Sequence, residues 1–216
     1  TGVLHGPEPT PRRVKCGELE FEIDLMRGQK TGFYLDQLGN YQAVARYAKG
    51  RAVLDCFSNQ GAFALHCARA EAKEVTAVDV SAEATELCRR NAASNGLHVN
   101  AVEENVFDYL NHKERSGEKF DLIISNPPYF TLSLRAADPG RNAARHDDYL
   151  PSDAFMKQSR KLLKPDGVVA LIIPKTEADR WIGDGQAAGL KVARICHVFT
   201  LAHKEAARVM IEFAFV

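Results

Sequence analysis

The chain has 216 residues, 45% of them hydrophobic and 26% charged, with Lys+Arg and Asp+Glu each totalling 28. That is the make-up of one ordinary soluble domain with a sizeable core; it excludes a global basic field to hold a polyanion, so any nucleic-acid site must be a local patch or lie on another domain. Cys16, Cys56, Cys67, Cys88 and Cys196 are odd in number and lack C-x-x-C spacing, which argues against a disulfide framework or a zinc site and reads as small buried thiols.

No run is long enough for a membrane span and no signal peptide is visible, which points to the cytoplasm without membrane association. The start at Thr1 without an initiator Met suggests a processed terminus or a missing amino-terminal domain, for example one that binds RNA.

Residues 1–13, rich in proline and glycine, read as an extended lead-in. From Val14 to Leu25 the alternation of Leu19, Phe21, Ile23 and Leu25 with acidic residues predicts a hairpin with one buried face. Gly28-Gln29-Lys30-Thr31-Gly32-Phe33-Tyr34-Leu35-Asp36-Gln37 is a polar loop with two glycines, followed by a helix from about Asp36 to Ala48. A strand from Arg51 to Asp55, a turn and a helix to about Ala72 come next. Gly61 permits close backbone approach there, the helix start offers N–H groups to a carboxylate, and Asp55 at the strand tip suits an ammonium group.

Lys73 to Ser81 is a second strand, and its Asp79 lies 18 residues beyond Gly61, near the spacing at which a carboxylate accepts both hydroxyls of an adenosine ribose. Ser81 suits the N-cap of a helix to Asn95 that stops at Gly96. After a third strand, Val99 to Val102, Asn105 is the first choice and Glu104 the second to accept from an adenine amine, with the Val106 N–H reaching a ring nitrogen. A short helix through Asn111 and a charged loop from Lys113 to Lys119 lead to the next strand.

That strand, Asp121 to Ser125, runs into Asn126-Pro127-Pro128-Tyr129-Phe130. Two prolines end the ladder and hold Asn126 and Tyr129 at the carboxyl edge of the sheet, where ligands of open α/β sheets bind. The Asn126 amide oxygen and the Pro127 carbonyl can accept from an exocyclic NH2 group while Tyr129 stacks on its ring. Residues 131–149 form a long loop whose Arg135, Arg141, Arg145 and His146 suit phosphate contacts. A helix from Ser152 to Leu163, a turn at Lys164-Pro165-Asp166-Gly167, a strand from Val168 to Ile173, a helix from Glu177 to Ala188 and a closing antiparallel hairpin complete the chain. The alternation predicts an α/β fold with a doubly wound parallel sheet.

Asn126-Pro127-Pro128-Tyr129 resembles the N-P-P-Y motif of class I S-adenosylmethionine methyltransferases that act on planar amines. From about residue 50 to 216 the element order is similar to that Rossmann-like domain, a seven-stranded, mostly parallel sheet with an antiparallel last strand. The implied organisation is residues 1–49 as an extension with a hairpin and helix on the cofactor side, and 50–216 as the methyltransferase domain. Gly28 to about Asp108 looks like the large-subunit ribosomal RNA cytosine-C5 methyltransferases, although Leu38-Gly39-Asn40-Tyr41 stands where that family continues with Arg-Glu-Asn-Arg. From Asn126 onward, with A-R-H-D and A-x-R-V-M-I-E-F, the chain looks like the tRNA adenine-N6 methyltransferases.

Cytosine C5 needs a thiolate that adds to the ring, and no cysteine ends the fourth or fifth strand. The expectation is therefore an N-methyltransferase acting on an exocyclic amine, adenine N6 of a tRNA or rRNA, that converts S-adenosyl-L-methionine to S-adenosyl-L-homocysteine without a metal. The alternatives are guanine N2 or cytosine C5 of rRNA, glutamine N5 of a protein, or a cofactor-binding module that needs a missing domain. The resemblance implies Asn126, Pro127 and Tyr129 as catalytic residues. It implies cofactor contacts from Lys30, Phe33, Asp36, Asp55, Ser58, Gln60, Gly61, Asp79, Val80, Asn105, Val106 and Asn126, and substrate contacts from Pro128, Phe130, Arg135, Arg141, Arg145 and His146.

Overall fold

The structure, a computed structural model, describes residues 12–23, 33–34, 37–128, 150–199 and 204–215. Two antiparallel strands, β1 (Arg12–Cys16) and β2 (Leu19–Ile23), form the predicted hairpin, with Leu19, Phe21 and Ile23 buried. Seven further strands, β3 to β9, make a sheet in the order β5-β4-β3-β6-β7-β9-β8. The chain divides into two compact units, one ending at Glu104 and one beginning at Asn105.

In the first unit, β3 (Ala52–Cys56), β4 (Glu74–Asp79) and β5 (Asn100–Glu103) are parallel, with Val53 beside Val75 and Asp79 beside Glu103. Runs such as Val53-Leu54-Asp55-Cys56 and Val75-Thr76-Ala77-Val78 are buried at every position, the pattern of strands covered on both faces. Helices α1 (Leu38–Ala45), α2 (Ala62–Arg69) and α3 (Ala82–Ser94) complete this unit. Ser81 caps α3, its hydroxyl accepting from the Ala84 N–H at 3.2 Å.

Helix α3 also holds the hairpin. Asn91 and Asn95, one helical turn apart, act as a substitute strand against β2. The Glu22 N–H donates to Asn91 Oδ1 at 2.7 Å, the Glu20 N–H to Asn95 Oδ1 at 2.9 Å, and Asn95 Nδ2 to the Glu20 carbonyl at 2.6 Å. Each such bond contributes about 1 kcal/mol, and breaking one beside a buried group costs more.

The second unit contains α4 (Val106–Ser116), β6 (Phe120–Ser125), α5 (Ser152–Leu162), β7 (Leu163–Pro174), a 3-10 turn (Lys175–Glu177), α6 (Ala178–Ala187), β8 (Leu190–Val198) and β9 (Arg208–Phe215). β6 and β7 are parallel, and β9 is antiparallel to both β7 and β8, so it is the reversed strand of the expected fold. Trp181, Phe155, Met156 and Phe213 form the core beside it. Gly185 makes room for a ring there, since a Cβ on it would lie 2.5 Å from Phe213 Cε1.

Helices α1 and α2 each end three residues short of expectation, at Ala45 and Arg69, and two further boundaries differ more. Helix α4 continues to Ser116, through half of the predicted charged loop, because Lys113 and Arg115 suit its carboxyl end and Gly117 (φ 73°) closes it. Lys164 to Gly167 is not a free turn but part of β7. Phe120 pairs with Leu163 and Leu122 with Val168, so these residues bulge out of the ladder, and Lys164 Nζ meets Asp121 Oδ2 at 2.8 Å.

Candidate active site

In the first unit, the tip of β3 carries Asp55, only 1% exposed. Its Oδ2 accepts from the Ala64 N–H of α2 at 3.1 Å. Burial pushes this carboxyl up to about 8; the charge of Asp79 acts in the same direction and the Ala64 N–H opposes it. An acid held this way is neutral until a cation meets it.

The turn beyond Asp55 is strained. Phe57 (φ 58°), Asn59 (φ 49°) and Gly61 (φ 77°) all adopt left-handed backbone within five residues. Each non-glycine residue there costs about 1–2 kcal/mol. The turn is held by the Ser58 N–H donating to the Val78 carbonyl at 3.0 Å, the Asn59 N–H to Asp79 Oδ2 at 2.7 Å, and the Gly61 N–H to the Ser58 carbonyl at 2.8 Å. Inside it Ser58 Oγ is buried with no hydrogen-bonding partner among the described residues, an unmet polar group of the kind found at ligand sites. Gln60 is buried beside it.

Gly61 has a reason the sequence did not disclose. A Cβ there would lie 2.2 Å from Cys88 Sγ, so the missing side chain lets the turn pack on α3. As N-cap of α2, Gly61 brings no side chain to the helix start.

Asp79 lies at the tip of β4, its Oδ1 accepting from the Ser81 N–H at 3.0 Å in addition to the bond from Asn59. Each carboxylate oxygen keeps a second lone pair for a hydroxyl donor. Val80 follows and is 71% exposed. Phe33 is buried instead against Phe21 and Tyr41, with ring centroids 4.8 and 6.4 Å away, so it helps build the aromatic core under the hairpin.

In the second unit, Asn105 caps α4, its Oδ1 accepting from the Phe107 N–H at 2.9 Å and the Asp108 N–H at 3.4 Å. The oxygen expected to take an adenine amine is thus engaged in the cap, and Val106, the first residue of the helix, is buried. Leu122, Ile123, Ile124 and Ser125 of β6 are all buried and deliver a half-buried Asn126, a buried Pro127 and an exposed Pro128 at the strand's end. Lys30, Asp36, Tyr129, Phe130, Arg135, Arg141, Arg145 and His146 lie outside the described residues.

All five cysteines are described. Cys16, Cys56, Cys67 and Cys88 are buried, with burial raising each thiol's pKa, and Cys196 is exposed on β8. Among the described residues no group of three or more His, Cys, Asp or Glu could hold a metal, and no helix is long and apolar enough to cross a membrane.

Sequence reasoning missed Asn59, Phe57 and Cys88. Asparagine's tolerance of left-handed backbone could have flagged Asn59, but nothing local marks the other two.

The methyltransferase small domain family matches residues 40–180. A ribosomal RNA large subunit methyltransferase I from Aeromonas salmonicida is 42% identical over 137 residues, 62% of this chain and 35% of that protein, so the chain spans about a third of such relatives' length. The fold is similar to that of a methyltransferase solved in complex with SAH (TM-score 0.77, 19% identity, covering 99% of this chain and 57% of that one). It is also similar to a tRNA m1G37 methyltransferase of M. jannaschii (TM-score 0.73, 18% identity, 99% and 59%). The strained β3 turn and acid-tipped β4 thus fall within a matched domain, and the chain belongs to the methyltransferase small domain family, with the fold of the class I S-adenosylmethionine-dependent methyltransferases.

Proposed function

We propose that this protein transfers a methyl group from S-adenosylmethionine to an exocyclic amine of an RNA base, adenine N6 in the first instance, within a methyltransferase domain at residues 50–216 that follows an extension at 1–49. The observation that carries this reading is the end of β6, where four consecutive buried residues deliver Asn126 followed by Pro127 and Pro128. The name of the relatives favours ribosomal RNA as the substrate.

The first unit's residues fit the cofactor. Asp55 suits its ammonium group, since a cation supplies the charge that the buried carboxyl lacks. Ser58 Oγ brings a buried hydroxyl in need of a partner. Asp79 suits the ribose hydroxyls, and the exposed Val80 offers apolar surface for the adenine. Gln60, Gly61 and Val106 complete this proposed set, with Lys30 and Asp36 from the polar loop. When bound, the cofactor supplies a methyl group made electrophilic by its sulfonium.

The chain's own contribution is orientation. The Asn126 amide oxygen and Pro127 carbonyl accept from the amine N–H groups, draw its lone pair out of ring conjugation and hold it in line. Tyr129 stacks on the base, and Arg135, Arg141, Arg145 and His146 meet phosphates. The amine proton leaves to solvent after transfer. Cytosine C5 is disfavoured because it requires a thiolate against the reacting base, whereas four cysteines are buried with raised pKa and the exposed Cys196 is on β8, three strands across the sheet from β6.

The test is transfer of labelled methyl from S-adenosylmethionine to unmodified ribosomal and total RNA, with Asn126→Ala alongside and identification of the labelled nucleoside. N6-methyladenosine, absent with the variant, is the expected result. Label in 5-methylcytidine, or transfer to protein alone, refutes the reading.

A further inference from the structure

Among the described residues three large hydrophobic side chains are exposed: Val80, Ile195 and Phe199. Val80 adjoins the proposed ribose ligand, and Ile195 lies within β8. Phe199, 56% exposed immediately after β8, has no role in the core or in the chemistry above.

Its position follows from register. β6, β7 and β8 run in one direction, because β9 is antiparallel to both β7 and β8. Their carboxyl ends therefore share one edge of the second unit, and Phe199 ends on the same edge as Asn126. Arg208 pairs with Pro174 on one side and Val198 on the other, and the Lys175 N–H donates to the Ala207 carbonyl at 3.1 Å. Across the edge the order is Asn126, then Pro174 and Lys175, then Arg208, then Phe199. At the usual strand separation, β6 and β8 are about 14 Å apart.

Among the described residues the charge on this edge is net positive by a small margin. Lys175, Arg180, Lys204 and Arg208 stand against Glu177, Asp179 and Glu205; Glu205 meets Lys175 at 3.5 Å in an exposed pair of little strength, and Glu177 pairs with Arg180. An exposed ring beside cations is what a single nucleic-acid strand requires, since every base has a face to stack and every nucleotide a phosphate. An enzyme acting on a base amine also needs its target out of the duplex, which frees the faces of neighbouring bases.

We infer that Phe199 is a stacking platform for a nucleotide beside the target base, with Lys175 meeting the phosphates between them. The inference rests on the RNA reading above and adds the path of the strand along the β6–β8 edge.

The experiment measures binding of a fluorescein-labelled, mixed-sequence single-stranded RNA and methyl-transfer kinetics on ribosomal RNA, for the parent protein, Phe199→Ala, Phe199→Tyr and Lys175→Ala. Phe199→Ala should weaken binding and raise KM by about ten-fold with little change in kcat, and Phe199→Tyr should restore both. Lys175→Ala should reduce the slope of log affinity against log salt by about one, a change that Phe199→Ala does not make. If RNA is bound and methylated but Phe199→Ala matches the parent, the platform is refuted and the function stands. If the parent protein neither binds nor methylates RNA, the proposed function fails and the platform with it.

Discussion

Replacing Gly61 by alanine tests the architecture of the β3 turn. The new methyl carbon would lie 2.2 Å from Cys88 Sγ and 3.1 Å from Leu65 Cδ1, on a backbone with φ 77°. Left-handed backbone costs a non-glycine residue about 1–2 kcal/mol. Overpacking a close-packed site adds about 1–3 kcal/mol. The sum, about 2–5 kcal/mol, is a large share of a domain's typical 5–15 kcal/mol of stability. Cys88→Ala removes the sulfur that the methyl meets, so the double variant should recover the packing part and keep the backbone part. Urea denaturation of the parent, both single variants and the double should show a coupling of about 1–3 kcal/mol at unchanged m-value. Additivity within about 0.5 kcal/mol would show that Cys88 does not determine the need for glycine. Any cofactor-binding loss in Gly61→Ala should be partly restored by Cys88→Ala for the same reason.

Asp55 should make the cofactor-free protein less stable as pH rises. Its folded pKa of about 8 lies above the unfolded value near 3.9, so its contribution is full below about pH 4 and is lost as pH climbs through 8. A tenfold difference in proton affinity between the folded and unfolded chain corresponds to about 1.4 kcal/mol. Asp55→Asn should therefore flatten urea stability between pH 5 and 9 by several kcal/mol; equal slopes would refute the buried-acid account. Asn91→Ala should strand the Glu22 N–H and cost about 1–3 kcal/mol, whereas Asn91→Asp keeps the acceptor; hydrogen exchange at Glu22 reads the difference, and unchanged protection would dismiss the clasp. Ser81→Ala should destabilise by about 1 kcal/mol through loss of the α3 cap, and no shift in midpoint would argue against it.

Local sequence determined much of this protein because the relevant physics is local. Alternation over Leu19, Phe21 and Ile23 could only be a half-buried strand, and the buried runs ending in Asp55, Asp79 and Asn126 could only be strands covered on both faces. Ser81 as a cap and Gly96 (φ 65°) as a stop were equally legible. What the tertiary structure decided depends on partners far away in the chain. Gly61 is required by Cys88, the hairpin is held by Asn91 and Asn95 about 70 residues away, and Phe33 belongs to the aromatic cluster of Phe21 and Tyr41. Asn105 illustrates the limit most clearly. Its residue type permits both a ligand contact and a helix cap, and only the backbone geometry at Phe107 and Asp108 reveals that its oxygen serves the cap. Periodicity and turn chemistry are written along the chain, whereas packing space and the second partner of a polar atom exist only once distant segments meet.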